Sequence, residues 1–154
     1  MKVGDVLKST FLATLRIELG QSYPLDTTPA GWRRIDVFKG GSLRGPRVNG
    51  TILSGTDCLL GRRDDSMQPD VRLTIETDDQ AYIHITYRGV RHGPADAMDR
   101  IARGEPVTPD EYYLRSAPFF ETGAPRYDWL NRIVSIGVGR REPAAAVYEI
   151  YEIL

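Results

Sequence analysis

Between Leu7 and Ile17 the chain alternates, with Leu7, Ser9, Phe11, Ala13, Leu15 and Ile17 on one side and Lys8, Thr10, Leu12, Thr14 and Arg16 on the other. A period of two is the pattern of a half-buried strand. A Pro- and Thr-rich stretch, SYPLDTTPAG, then reads as a loop. Residues Arg33 to Phe38 read as a second strand closed by Gly40-Gly41, and Pro46 to Leu53 as a third ending at Ser54-Gly55. Paired glycines in a strand-rich chain predict a sharp bend or bulge of the kind that lets a sheet curl.

The segment DVRLTIETDDQAYIHITYRG predicts a hairpin, and its faces decide its register. A two-residue loop at Asp79-Gln80 would set Ile75 opposite His84 and mix polarity on both faces. A three-residue loop at Asp78-Asp79-Gln80 instead gathers Val71, Leu73, Ile75, Ile83, Ile85 and Tyr87 on one face. It leaves Arg72, Thr74, Glu76, Tyr82, His84 and Thr86 on the other. A slip of one residue exchanges the faces, so the segregated register is expected. That register puts Gln80 at the left-handed position where three-residue hairpins favour glycine.

One helix is predicted, opened by Pro94, carried by Ala95, Met98, Ile101 and Ala102 at helical spacing, and stopped by Gly104. A strand through Tyr112 to Phe120, a one-turn helix at Tyr127 to Leu130 and strands at Ile133 to Val138 and Ala146 to Ile153 follow. Arg140-Arg141-Glu142-Pro143 reads as a solvated turn. About eight to ten short strands with turn signals between them predict an all-β fold, an antiparallel barrel or sandwich. With 154 residues the chain is expected to form one domain, residues 1–154, burying roughly 70% of its unfolded surface.

Composition narrows the functions. Twenty Lys and Arg against twenty-one Asp and Glu give a net charge of −1, which argues against a nucleic-acid partner. No run approaches the ~20 apolar residues of a membrane span, and the start of the chain lacks the apolar core of a signal peptide, so the expected location is cytoplasmic. One cysteine excludes an internal disulfide, and one cysteine with two histidines excludes the familiar structural zinc spacings, so no metal site is expected. Gly137-Val138-Gly139 runs into Arg140-Arg141 with no helix after it, which excludes a dinucleotide fingerprint.

Five stretches, GWRRIDVFKGG, LRGPRVNGTILSGTD, VRLTIETDD, YYLRSAPFFET and YDWLN, together resemble the signature blocks of the bacterial and fungal family called domain of unknown function 3237. The likeness runs from about residue 7 to the C-terminus, and YDWLN preceded by FFET is its most specific block. The resemblance implies a small β-barrel without a bound cofactor, similar in outline to the allene oxide cyclase and lipocalin-like barrels. Two positions depart from the family. Cys58 follows Asp57, with Thr56 before it, where the family usually has tryptophan, and Gln80 stands in place of a glycine. Both are expected near the barrel mouth.

The candidate chemistry centres on FFETGAPRYDWLN. Alternation sets Tyr113, Arg115, Ala117, Phe119 and Glu121 on one strand face and Tyr112, Leu114, Ser116 and Phe120 on the other. If the first face points inward, Arg115 and Glu121 are charges in a poorly hydrated space, which must pair with each other's kind or serve a ligand. Trp129 either caps the core or walls a flat ligand, and the Asn131 amide either ties a turn or donates to an oxyanion. Asp57, after Ser54-Gly55-Thr56, is either a turn aspartate or an acid of raised pKa at a barrel mouth. Arg72, His84 and Tyr82 form a solvated strand face or, facing the lumen, a set suited to a carboxylate or enolate. Arg34 on the second strand joins them as a substrate-binding candidate. Cys58 reads as a small buried hydrophobe.

The leading expectation is a cofactor-independent enzyme of the lyase, isomerase or cyclase type, acting on a small carbonyl-bearing or aromatic molecule held in the barrel. In it Glu121 or Asp57 transfers the proton, Arg115 and Arg72 neutralise negative charge, Tyr113 and Asn131 donate hydrogen bonds, and Trp129 packs on the substrate. The rival is a non-catalytic small-molecule-binding barrel, and a third reading is a structural barrel packed solid. The expected partners are a small molecule and a second copy of the chain in a homodimer, with no nucleic acid and no membrane.

Overall fold

The computed structural model describes residue 4 and residues 6–154. Ten strands appear in chain order: β1 (Ser9–Thr28), β2 (Gly31–Arg44), β3 (Asn49–Gly61), β4 (Met67–Gln68), β5 (Asp70–Thr77), β6 (Tyr82–His92), β7 (Tyr113–Ser116), β8 (Phe119–Glu121), β9 (Ser135–Glu142) and β10 (Ala145–Ile153). Eight of them close a circuit of antiparallel neighbours, β1-β2-β3-β5-β6-β7-β9-β10 and back to β1. The fold is therefore a closed antiparallel β-barrel. Closure leaves no unpaired sheet edge around the wall.

The two short strands are additions to this wall. β4 bridges β3 and β6 beyond the end of β5. β8 continues β7 along β6 in one unbroken register, with Ala117-Pro118 between them. Proline cannot donate to a ladder. The gap is held instead by the Ala117 amide donating to the Arg88 carbonyl at 3.0 Å and by the buried Ser135 hydroxyl donating to the Pro118 carbonyl at 2.7 Å.

Inward positions follow the alternation except where bulges shift it. Ala13, Leu15 and Ile17 are buried as expected, but a register shift between Phe11 and Ala13 turns Leu12 inward and leaves Phe11 partly exposed. The stretch SYPLDTTPAG is not a loop. It belongs almost wholly to β1, which runs on to Thr28 paired with β2 through three further shifts, at Glu18/Leu19, Leu19/Ser22 and Pro24/Asp26. The bulges accommodate a proline and a left-handed Asp26 (φ 60°) without ending the ladder. β2 and β3 are correspondingly longer than predicted, and β9 reaches Glu142, so Arg140 to Glu142 belong to a strand and not to a solvated turn.

The β5–β6 hairpin has the segregated register, with Ile75 opposite Ile83 and Leu73 opposite Ile85. Gln80 takes φ 70°, the left-handed conformation the three-residue loop demands. Replacing Gln80 by glycine removes the Cβ penalty of that conformation and partly offsets it with greater freedom of the unfolded chain. A net stabilisation of up to about 1 kcal/mol is expected for Gln80→Gly, read as a higher urea midpoint. An unchanged or lower midpoint would show that the turn carries no strain.

The barrel has two unlike ends. One is filled by apolar side chains, among them Leu43, Ile52, Ile75, Ile83, Phe120 and Ile150, and is stoppered by the 3-10 helix Pro125–Arg132 through Tyr127 and Leu130. Over the other lies α1 (Ala95–Ala102), which buries Ala97 and Ile101. The interior beneath α1 is hollow and charged.

Candidate active site at the open end of the barrel

Beneath α1 the inward positions stop being aliphatic. On β2 the sequence of inward residues is Arg34, Asp36 and Phe38, and on β3 it is Asp57 and Leu59; Asp36 and Asp57 sit opposite each other in the ladder. β6 continues its inward series past Tyr87 and Gly89 to Arg91, β9 runs through Gly137 and Gly139 to Arg141, and β10 supplies Tyr148. Asp36, Asp57, Tyr87, Arg91, Arg141 and Tyr148 line a pit of about 30 Å³ whose apolar walls include Ile17, Phe38 and Leu114, while Arg34 lines the cavity above it. Gly139 makes room for it, since a Cβ there would come within 2.6 Å of both Leu114 and Tyr148. A second cavity of about 260 Å³ opens above, lined by Trp32, Leu59, Met67, Met98 and Ile101, and shares Arg91 and Arg141 with the pit.

The two carboxylates have different surroundings. Asp36 is buried and fully engaged: Arg34 donates to it through Nε at 2.8 Å and Nη2 at 3.1 Å, and the Ser22 hydroxyl donates at 2.7 Å. Asp57 accepts one bond, from the Asp70 amide at 2.9 Å. Desolvation pushes the Asp57 carboxyl up to about 6, the charge of Asp36 adds to that, and Arg91 and Arg34 pull the other way. A carboxyl raised in this manner is suited to proton transfer near neutral pH.

The cations of the pit are short of partners. Burial pulls the Arg91 guanidinium down to about 10, and the like charge of Arg141 adds to the effect; Arg141 is lowered chiefly by burial as well. Nε of each is buried without a hydrogen-bond acceptor among the described residues. Arg141 is positioned through its backbone, whose amide donates to the Tyr112 hydroxyl at 2.6 Å. The Tyr87 and Tyr148 rings lie with centroids 5.0 Å apart, and burial raises both phenols, Tyr148 to about 12, so both stay protonated. The pit thus offers one base of near-neutral pKa, two unpaired guanidiniums and a phenol pair.

The residues expected at the site divide sharply. Asp57 and Arg34 face the lumen. Tyr113, Arg115 and Glu121 do not, because on β7 and β8 Leu114, Ser116 and Phe120 take the inward positions. Arg115 lies over the outward Tyr113 ring at 5.0 Å and donates to the Leu114 carbonyl, while Glu121 is exposed opposite His84. Arg72, His84 and Tyr82 also lie on the outer face, since the other side of that hairpin fills the barrel. FFETGAPRYDWLN stoppers the opposite end: Tyr127 donates to Asp79 at 2.7 Å, Arg126 pairs with Asp79, and the Asn131 amide accepts from the Thr122 amide and donates to its carbonyl. Trp129 packs there under the Arg47 guanidinium, 4.2 Å from the ring centroid.

The profile of a family described as protein of unknown function, DUF3237, matches residues 7–153. The chain belongs to this family. Similar DUF3237-type chains include the UPF0311 protein RPA1785 of Rhodopseudomonas palustris, 30% identical over 149 residues that cover 96% of this chain and 97% of that one. The crystal structure of RPA1785, described as a conserved protein of unknown function, superimposes with a TM-score of 0.93 over 97% of this chain and 99% of its own. A β-barrel-like protein from Acinetobacter baumannii is 32% identical with a TM-score of 0.84 over all of both chains. A more distant relative is named as an enzyme: the hydroalkoxylation enzyme phnH of Penicillium herquei, 24% identical over 127 residues, 82% of this chain and 70% of that one.

Of the two departures from the DUF3237 blocks, only one lies near the mouth. Cys58 is the outward neighbour of Asp57, half-buried, with its carbonyl accepting from Arg33 at 3.0 Å. Gln80 is in the β5–β6 turn at the stoppered end, beside Asp79. Arg91, Arg141, Tyr87, Tyr148 and Asp36 were not singled out by their sequence context. The signal for Arg91 and Arg141 was present in the alternation, because each continues an inward series, Tyr87-Gly89-Arg91 and Gly137-Gly139-Arg141. Among the described residues no helix is long and apolar enough to cross a membrane.

Proposed function

We propose that this barrel is a cofactor-independent acid–base enzyme that moves a proton between oxygen and carbon of a small carbonyl-bearing molecule, in an isomerising or ring-closing addition. The observation that carries the reading is Asp57, a carboxyl held near pH 6 beside two guanidiniums without partners. The name of the phnH relative supports the same chemistry, since hydroalkoxylation adds an O–H bond across a carbon–carbon double bond. Asp57 as carboxylate takes the hydroxyl proton while the oxygen attacks the alkene carbon conjugated to the carbonyl. The electron pair moves to the carbonyl oxygen, where Arg91 and Arg141 neutralise it and Tyr148 donates. Protonated Asp57 then returns its proton to the adjacent carbon, so substrate and product have the same formula. A carboxyl with a pKa near 6 can serve in both half-steps at neutral pH.

The test is turnover in D2O with a panel of hydroxyl-bearing aryl enones, unsaturated hydroxy acids and keto acids, followed by proton NMR. Wild type is expected to place one deuterium on the carbon next to the carbonyl of the product. Asp57→Asn should slow this by at least about 100-fold, the usual contribution of a general acid–base group. Glu121→Gln, on the outer face, should not change it. Full turnover in Asp57→Asn would remove the assignment, and line broadening without conversion of any compound would make the barrel a binding protein.

A further inference from the structure

The pit has more positive charge than its own acids can cancel. Arg34 and Asp36 neutralise each other through two hydrogen bonds. Asp57 is then the one remaining carboxylate of the pit, close enough to Arg91 to feel its charge, and it shares the lining with Arg141. Neither of these arginines is ion-paired among the described residues, and the buried Nε of each has no acceptor. Buried guanidiniums without acceptors are costly, so the arrangement persists where a ligand completes it.

We infer that the substrate of this site is a monocarboxylate with a flat apolar body, its carboxylate seated in the pit against Arg91 and Arg141 and its body in the cavity beneath α1. This rests on the proposed reading of the same site and specifies the carbonyl that the reaction uses. Size supports it. At roughly 10 to 15 Å³ for one water, a pit of about 30 Å³ holds a group the size of a carboxylate. One uncancelled charge matches a monoanion and not a phosphate dianion. Guanidinium forks also fit the planar carboxylate, with two parallel N–H donors meeting two oxygens.

The outer cavity specifies the body. Its 260 Å³ lies just below the ~300 to 1,000 Å³ of pockets for drug-sized ligands. Trp32 offers a flat wall, with the Arg34 guanidinium 5.8 Å from its ring centroid, and Met67 and Met98 offer adaptable thioethers. Most of this lining is apolar, with Asp65 its one carboxylate, so a body seated there is flat and uncharged and the ligand is amphipathic along its length. During turnover the arginines that bind the carboxylate also take up the charge that develops on it.

The charged and titratable groups of the pit and the cavity above it are Arg34 and Asp36 on β2, Asp57 on β3, Asp65 in the turn after β3, Tyr87 and Arg91 on β6, Arg141 on β9 and Tyr148 on β10; Asp65 lines the outer cavity and not the pit. Of these Asp57 is the unpaired acid beside the proposed carboxylate. Its protonation removes a like charge, so carboxylate binding tightens as the pH falls.

The experiment is a fluorine-NMR titration with 4-fluorocinnamate and its neutral isostere 4-fluorocinnamamide, run at two pH values on folded protein. Wild type is expected to bind the acid at least about tenfold more tightly than the amide, the ratio that one well-placed charge contact confers. Arg91→Met and Arg141→Met should each erase that preference, Arg141→Lys should keep it, and Asp57→Asn should bind the acid with no pH dependence between about pH 5 and 8. Equal affinity for acid and amide, or no binding of either, overturns the inference, and this comparison needs no variant to fold. Because Asp57→Asn retains binding, loss of proton transfer in D2O with the acid preference intact separates failure of the catalytic reading from failure of the charge assignment.

Discussion

Asp57→Asn is expected to melt well above wild type at pH 8 and together with it near pH 4. In the folded chain the Asp57 carboxyl titrates near 6, and in the unfolded chain near its ordinary 3.8. Between these values the folded protein holds a proton that the unfolded chain has released. The protonated group therefore adds nothing unfavourable below the unfolded pKa, and stability is lost as the pH rises through the folded one. With each pK unit equal to about 1.4 kcal/mol, ionised Asp57 costs at most about 3 kcal/mol above that window. Asparagine keeps the shape and the acceptor for the Asp70 amide but never ionises. In a chain of this length a gain of that size raises the melting temperature by roughly 6 to 12 °C. Urea unfolding of both proteins at the two pH values decides it, and a difference that does not change with pH would mean that Asp57 is not desolvated. On the proposed acid–base reading the same substitution should also slow turnover, the exchange of stability against activity expected of a carboxylate kept in an unfavourable setting.

Gly41→Ala is expected to lose at least about 3 kcal/mol, through backbone conformation and a direct clash together. Gly41 has φ 140°, where side chains are rarely accommodated, and lies opposite Ile17 in the β1–β2 ladder. A Cβ would overlap the Arg16 carbonyl oxygen and come within 2.8 Å of the Ile52 methyl. The Ile52 methyl can shift, but the Arg16 carbonyl is backbone of the barrel wall and cannot retreat without opening the ladder. Gly123→Ala is the control, because nothing lies within 4 Å of a Cβ there and its φ is ordinary. A Gly41→Ala urea midpoint equal to that of Gly123→Ala would show that the wall turns its corner by some other means.

Much of the barrel was legible because one-sided strands advertise themselves. The β5–β6 hairpin could be registered from its faces alone, and the left-handed Gln80 followed from the loop length that register required. The candidate site was less legible for two reasons. Alternation says which residues share a face but not which face is inside, so Glu121, Arg115 and Tyr113 could equally have been lumenal until Leu114 and Phe120 were seen buried. The second reason is that polar residues near strand ends look like turns. Arg141 stands between Arg140 and Glu142 in a run that resembles a solvated corner, yet its pairing partner Ala146 carries β9 on past it. Asp57 was found because Ser54-Gly55-Thr56 before it looks like a turn, although β3 runs straight through, and Asp36 was missed because it sits mid-strand among ordinary alternating residues.

The unlike ends of the barrel also separate two free-energy scales. Opening the stoppered end means exposing Leu43, Ile75, Ile83 and Leu130 together, which amounts to unfolding the molecule. Opening the mouth means lifting an eight-residue helix that holds on through Ala97 and Ile101, with no side-chain cap at its N-terminus. Low-energy local openings arise where few apolar contacts must be broken. Amide hydrogens of α1 thus belong to a fast-exchanging class and those of β5 and β6 to the slowest. The mouth can open on the first timescale while the wall that fixes Asp57, Arg91 and Arg141 remains closed on the second.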